Sequence, residues 1–310
     1  MNIFIRSHGR ALEHRTFDMV RSIPGTTTTM IVDSVKERDS YLRLKPKLEG
    51  HIVAAGLPPS PQNHILVLNW ILVNLAPRNE WSMYMDDNLR DWQMWDEGLD
   101  GMRHVTEIPG WPEYYAQKRL RVSMPAAKFV GEMIADLKIA DAFGYKLYGT
   151  ASSESPFARA RRYAFTGFVQ CKCFAMKQEE GVLYDLGVHI REEYDMTALH
   201  HWMHGGVLIN RWLYAHRCHF QKGGIGNRES RMPGYLHDSE YLRTKYPGFF
   251  TTNNKRTAAG EGAELRLVYD TPDQVDLWRR GYGPPAKAKS GTPFDPVTLL
   301  KHPRPGRCPA

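Results

Sequence analysis

Two short acidic clusters stand far apart in this chain. The first, Asp86-Asp87-Asn88, directly follows the apolar run Trp81 to Met85. Adjacent carboxylates repel one another unless a cation neutralises them, and a hard divalent ion such as Mg²⁺ or Mn²⁺ takes oxygen ligands of this kind. Such an ion bridges the phosphates of a nucleotide diphosphate and stabilises the charge that develops as that group leaves. The same three residues are also good turn chemistry. The second cluster, Glu192-Glu193-Tyr194-Asp195, opens a stretch with helical character that runs to Met203. Carboxylates there are favoured by free backbone N–H groups and the helix dipole. An ionised carboxylate within reach would also accept the proton of an attacking hydroxyl, and Glu193 and Asp195 are the candidates, with Glu192 beside them.

Histidine is concentrated between His189 and His219. His200 and His204 share a helical face, as in zinc sites, but no Glu stands where a metalloprotease requires one. His219 stands late in Leu208 to Phe220, which reads as a strand, just before Gly223-Gly224, and is placed to return to a sheet edge as a further metal ligand. Arg159, Arg161 and Arg162 lie beside Tyr163 and Phe165, a combination that holds phosphates and stacks bases, and that also describes a surface strand. Gly223-Gly224-Ile225-Gly226 matches no phosphate-loop pattern. The four cysteines, Cys171, Cys173, Cys218 and Cys308, are too few and too irregular for a disulfide framework or a zinc centre.

Positioning such groups requires a scaffold, and strand-like segments alternate with helix-like ones in the manner of a mostly parallel sheet covered on both faces. Asn2 to Ser7, Thr28 to Asp33, His51 to Ala55 and Trp81 to Met85 read as strands, the second ending in an acid and the fourth leading into Asp86-Asp87-Asn88. Ser60 and Pro61 read as the start of a helix whose apolar face is Ile65, Leu68, Leu72 and Leu75. Ser123 to Ala140 reads as a helix, Lys146 to Tyr148 and Phe168 to Met176 as strands, and Gly205-Gly206 as the stop of the acidic helix before a strand from Val207. In an open α/β sheet ligands collect at the carboxyl ends of the strands, where Asp86-Asp87-Asn88 stands.

The 310 residues, 42% of them apolar, suffice for a large core. No apolar run is long enough to span a membrane, and Arg6 and His8 interrupt the N-terminal segment, so a cytoplasmic location is expected. The net charge of +7 is concentrated in the segment from Arg279 onward, where seven basic residues face the single acid Asp295. Rich in Pro and Gly, that segment reads as an extended basic arm suited to a polyanion, or as a solvated tail. The expected organisation is a catalytic domain over residues 1–278 and an arm over 279–310.

The order of NIFIRSHGRA, TMIVDSVKERDSY, SPQNHILVLNWIL, MYMDDNL, REEYDMTALHHWMHGG and, further on, YLRTKYP resembles the TET-associated glycosyltransferases of phages, which are GT-A enzymes. The resemblance covers about Met1 to Phe250. It implies a GT-A-like α/β fold, a nucleotide-sugar donor such as UDP-glucose, a divalent cation (Mn²⁺ or Mg²⁺), and as acceptor a modified pyrimidine in double-stranded DNA, typically the hydroxyl of 5-hydroxymethylcytosine. Carried over by position, Ser7 and Arg10 line the donor pocket and Asp33 faces the nucleoside. Asp86 to Asn88 form the metal and diphosphate motif, with Asp87 and His219 on the metal, and Glu192 to Asp195 form the catalytic segment. Asn88 stands where such motifs commonly end in Asp, which shifts metal binding towards Asp87 and His219.

Overall fold

The computed structural model of the protein describes residues 1–11, 15–95, 121–152, 162–217, 228–252, 265–269 and 275. In chain order these form β1 (Asn2–Arg6), α1 (Arg15–Val20), β2 (Thr27–Val32), α2 (Val35–Leu44), β3 (Ile52–Ala54), α3 (Asn63–Asn74) and β4 (Trp81–Asp86). There follow β5 (Leu89–Trp95), β6 (Arg121–Ser123), α4 (Ala126–Ala142), β7 (Leu147–Thr150), β8 (Tyr163–Ala164) and β9 (Cys173–Lys177). The last are α5 (Glu192–His204), β10 (Leu208–Asn210), β11 (Leu213–Arg217), α6 (Arg228–Lys245), β12 (Phe250–Thr252) and β13 (Leu265–Leu267).

The central sheet is 8-stranded, in the order β3-β2-β1-β4-β9-β7-β10-β8. It is mostly parallel: only β9 and β8 run against their neighbours. Both faces are covered, as near-continuous apolar strands demand. Ile3 and Ile5 of β1, with Met30, Val32, Met83 and Met85, pack with Phe17 of α1, Tyr41 of α2 and Phe129 and Met133 of α4. The intervening Phe4, Ile31 and Tyr84 face Ile65, Leu68 and Ile71 of α3 and Met196 of α5. The chain therefore changes face between β3 and β4, where the strand order also reverses around β1. A 3-stranded antiparallel sheet, β11-β5-β6, continues from β4 through the two-residue link Asp87-Asn88. The β12-β13 pair closes a smaller core with Leu242, Tyr246 and Phe249 around Val188 and Ala198.

Several boundaries differ from those expected. The helix expected from Ser60-Pro61 begins at Asn63, because the Ser60 hydroxyl accepts the N–H of Gln62 in a turn that precedes it. The acidic helix starts at Glu192 and ends at His204, capped by Gly205, whose φ of 79° is the left-handed conformation that suits glycine. Of the run Leu208 to Phe220, expected as one strand, the described part to Arg217 forms two strands in different sheets. The buried Asn210 side chain accepts the N–H groups of Trp212 at 2.9 Å and Leu213 at 3.3 Å, and so turns the chain between them. Residues 279–310, Arg159, Arg161, Cys218, Cys308, His219 and Gly223 to Gly226 lie outside the described residues. Among the described residues, no helix is long and apolar enough to cross a membrane.

Phe174 of β9 is buried at the middle of the sheet and stacks on Tyr84 with ring centroids 4.8 Å apart. Phe174→Ala is expected to cost about 3–5 kcal/mol, read as a lower urea midpoint at an unchanged denaturant slope.

Candidate functional site at the β1–β4 crevice

The carboxyl ends of β1, β2 and β4 meet the amino end of α3 at the point where the strand order reverses. In doubly wound sheets that crevice is the ligand position. The parallel register sets Arg6, the last residue of β1, beside Asp86, the last of β4. The Arg6 guanidinium donates to Asp86 Oδ1 at 3.2 Å and to Glu192 Oε1 at 3.4 Å, joining the two acidic clusters. Arg217 at the end of β11 donates to the other Asp86 oxygen at 3.1 Å. Asp87 is almost fully buried and takes the Ser7 hydroxyl on Oδ2 and Arg10 Nη1 on Oδ1 at 2.6 Å. The Tyr41 hydroxyl, 2.8 Å from Ser7 Oγ, also accepts the Arg10 backbone N–H. Thr16 of α1 pins the turn, donating to the Asp86 carbonyl at 2.7 Å and accepting the Leu89 N–H at 3.0 Å.

Asp33, expected to face a nucleoside, lies at the same rim. It is held by His8 Nδ1 at 2.9 Å and by Asn63 Nδ2 at 2.7 Å, from the first residue of α3. Burial would raise the Asp33 pKa, but hydrogen bonds from His8 and Asn63 and the His8 charge lower it instead. That hydrogen bond, offset in part by burial, raises the pKa of His8. Arg6 shows the same competition: burial alone would weaken its hold on the proton, while Asp86 and Glu192 raise its pKa.

The acidic helix start divides into three environments. Glu192 is buried between Arg6 and His64, whose Nε2 lies 3.6 Å from Oε2. Its pKa is lowered because His64 and Arg6 outweigh burial. Glu193 is half-buried, and its pKa is raised, first by desolvation and then by the neighbouring Glu192 charge. Asp195 is buried in an ion-pair network. Its Oδ1 accepts Lys245 Nζ at 2.6 Å and the Tyr246 hydroxyl at 2.8 Å, and its Oδ2 accepts the Asp185 N–H at 3.4 Å. Lys245 also binds Asp185 at 2.6 Å. The oxygens of Asp195, expected as a candidate acceptor of a substrate proton, are engaged in fastening α5 onto α6.

A metal ligand role for Asp87 meets a different arrangement, since both of its oxygens are engaged by Arg10 and Ser7, and both of Asp86's by arginines. The donor set is all oxygen, which suits Mg²⁺ or Mn²⁺, and Asp86 and Asp87 would hold such an ion only in competition with the guanidinium groups. Among the described residues two groups gather three ligand atoms within 4.8 Å: His8-Asp33-Glu37 and His189-His237-Asp238. His200 and His204 are not in either group. Their rings stand 5.3 Å apart, and His200 is fully buried, which depresses its pKa well below the ordinary value. Asn88 is buried beside Asp87.

Arg6, Tyr41, Asn63, His64 and Arg217 were not singled out from sequence. A signal existed for Arg6, a charged residue closing an apolar strand, and for Asn63 and His64, polar residues in the first turn of an apolar helix. No protein-family model matches the chain, and no significantly similar curated protein is found.

Removing Lys245 while leaving Asp195 and Asp185 in place exposes the worth of the fastening. Lys245→Met is expected to lower stability by about 3–5 kcal/mol in urea titration, because Asp195 is left buried without its counter-charge.

Proposed function

We propose that the chain is a GT-A-type glycosyltransferase that moves a sugar from a nucleotide-sugar donor to the hydroxyl of a modified pyrimidine, such as 5-hydroxymethylcytosine, in double-stranded phage DNA. The observation that carries this reading is the Arg6 bridge, which brings the Asp86 and Glu192 segments to one rim at the strand-order reversal. Three features support the donor side. The amino end of α3 brings Asn63 and His64 to the rim, and the positive end of its helix dipole favours an anion there. Arg6, Arg10 and Arg217 are matched by Asp86, Asp87 and Glu192, so a diphosphate arriving here adds charge that needs a cation. A divalent ion held by Asp86 and Asp87 would supply that charge and so stabilise the departing diphosphate. Asp33 and His8 would meet the nucleoside.

On the acceptor side, Glu193 is the group proposed to touch the reacting hydroxyl. It takes the hydroxyl proton as the oxygen bonds to the sugar's anomeric carbon and the bond from that carbon to the diphosphate breaks. Glu192, held ionised by Arg6 and His64, keeps the Glu193 pKa raised, so Glu193 loses its proton at a higher pH than an ordinary carboxyl. The basic arm, with seven basic residues against one acid, suits a DNA acceptor.

Mass spectrometry of nucleosides from hydroxymethylated DNA, after incubation with the protein, Mn²⁺ or Mg²⁺ and a panel of nucleotide sugars, is expected to show a hexosylated or pentosylated nucleoside. Donor turnover that is equal with and without this DNA would overturn the acceptor, and no turnover with any donor would overturn the enzyme. Glu193→Gln is expected to lower the transfer rate by about 10²–10⁴-fold with donor affinity kept. The wild-type rate is expected to rise with pH as Glu193 ionises, and a profile already flat through neutral pH would contradict its role.

A further inference from the structure

Away from the rim, α6 packs closely against the loop that leads into α5. Contact is tight: a Cβ at Gly234 would lie 2.5 Å from Ile190 Cδ1. Asp238, the most buried acid of α6, holds that loop by accepting the backbone N–H of His189 on Oδ1 at 2.9 Å. Its Oδ2 accepts those of Ile190 at 2.7 Å and Arg191 at 2.9 Å. A carboxylate offers about four lone-pair positions, so about one remains. It faces His237 Nδ1, 3.1 Å from Oδ1. The His237 ring stacks on His189 at 4.1 Å and 5°, and lies near-parallel to Tyr241 one helical turn on, at 6.0 Å and 11°. Both imidazoles are exposed to solvent, whereas Asp238 is fully buried.

We propose that His189, His237 and Asp238 form a zinc site, independent of the glycosyltransferase reading, that clamps the loop before α5 onto α6. One ligand atom from each residue lies within 4.8 Å of the others. Around a tetrahedral zinc with bonds near 2.0 Å, ligand atoms stand about 3.3 Å apart. The His237–Asp238 edge already has that length, so closure needs movement of about 1.5 Å from the exposed His189 ring while the carboxylate stays where three backbone donors hold it. Two imidazoles and one carboxylate suit zinc or a similar borderline ion and not Mg²⁺, which prefers oxygen ligands alone. The fourth position is left to water. Because Arg191, Glu192 and Glu193 follow directly, the ion would fix where the acidic helix begins.

The test is calorimetric titration of the full chain, stripped of metal, with Zn²⁺ in the presence of excess Mg²⁺ to fill any hard-oxygen site. Wild type is expected to bind a Zn²⁺ that raises its melting temperature. His189→Ala and His237→Phe, the second of which keeps the ring stack, are expected to bind it at least about tenfold more weakly. Absence of Zn²⁺ binding, or equal affinity and stoichiometry in all three proteins, would overturn the site. Circular dichroism of the metal-free variants, expected to match wild type, separates lost ligation from lost folding; if His189→Ala is misfolded, His237→Phe alone decides.

Discussion

One guanidinium, that of Arg6, sits where two acidic segments more than a hundred residues apart converge. Asp86 and Glu192 are both largely buried, and an unpaired buried carboxylate costs several kcal/mol. Their common neighbour is what permits the end of β4 and the start of α5 to share one rim. Arg6 can serve both because β1 is the central parallel neighbour of β4, in a register that aligns the two terminal residues. Displacing either strand by one residue would turn the arginine to the opposite face of the sheet.

From this constraint follows the differentiation of the acidic helix start. Glu192, Glu193 and Asp195 occupy one helical turn, yet their surroundings assign them separate tasks. Glu192 is held below the usual carboxyl pKa by His64 and Arg6, Asp195 is engaged in fastening α5 to α6, and Glu193 alone combines partial exposure with a raised pKa. Environments that drive the pKa values of adjacent carboxyls apart are how acid and base roles are allotted in sites. The helix dipole contributes equally little to distinguishing them, since all three lie within its reach.

Much of the scaffold was legible because it obeys period and punctuation. β1, β2 and β4 are apolar runs ending in polar residues, and α3 and α4 carry helical spacing, so both were found within a few residues of their observed limits. The mostly parallel sheet followed from their alternation. What periodicity could not reveal was the break at Asn210, where a side chain accepting two backbone N–H groups sends successive strands into separate sheets. The candidate site was legible as acids but not as a charge-balanced assembly. Asp86, Asp87, Asp33 and Glu192 were visible from type and position, whereas Arg6, Arg217 and His64 acquire meaning only through pairings across the fold. The partners of Asp195 were hidden for the same reason, since Lys245 and Tyr246 lie about fifty residues away.

The rim as a receptor for a nucleoside diphosphate is tested most directly by calorimetry with the ribonucleoside diphosphates in the presence of Mn²⁺, comparing wild type with Arg217→Met. Arg217 is the most exposed of the rim arginines, so its loss leaves the Arg6 bridge in place. One of the diphosphates is expected to bind wild type and to bind the variant at least about tenfold more weakly, the worth of a charge-assisted phosphate contact. Failure of every nucleoside diphosphate to bind, or equal binding by both proteins, would contradict it.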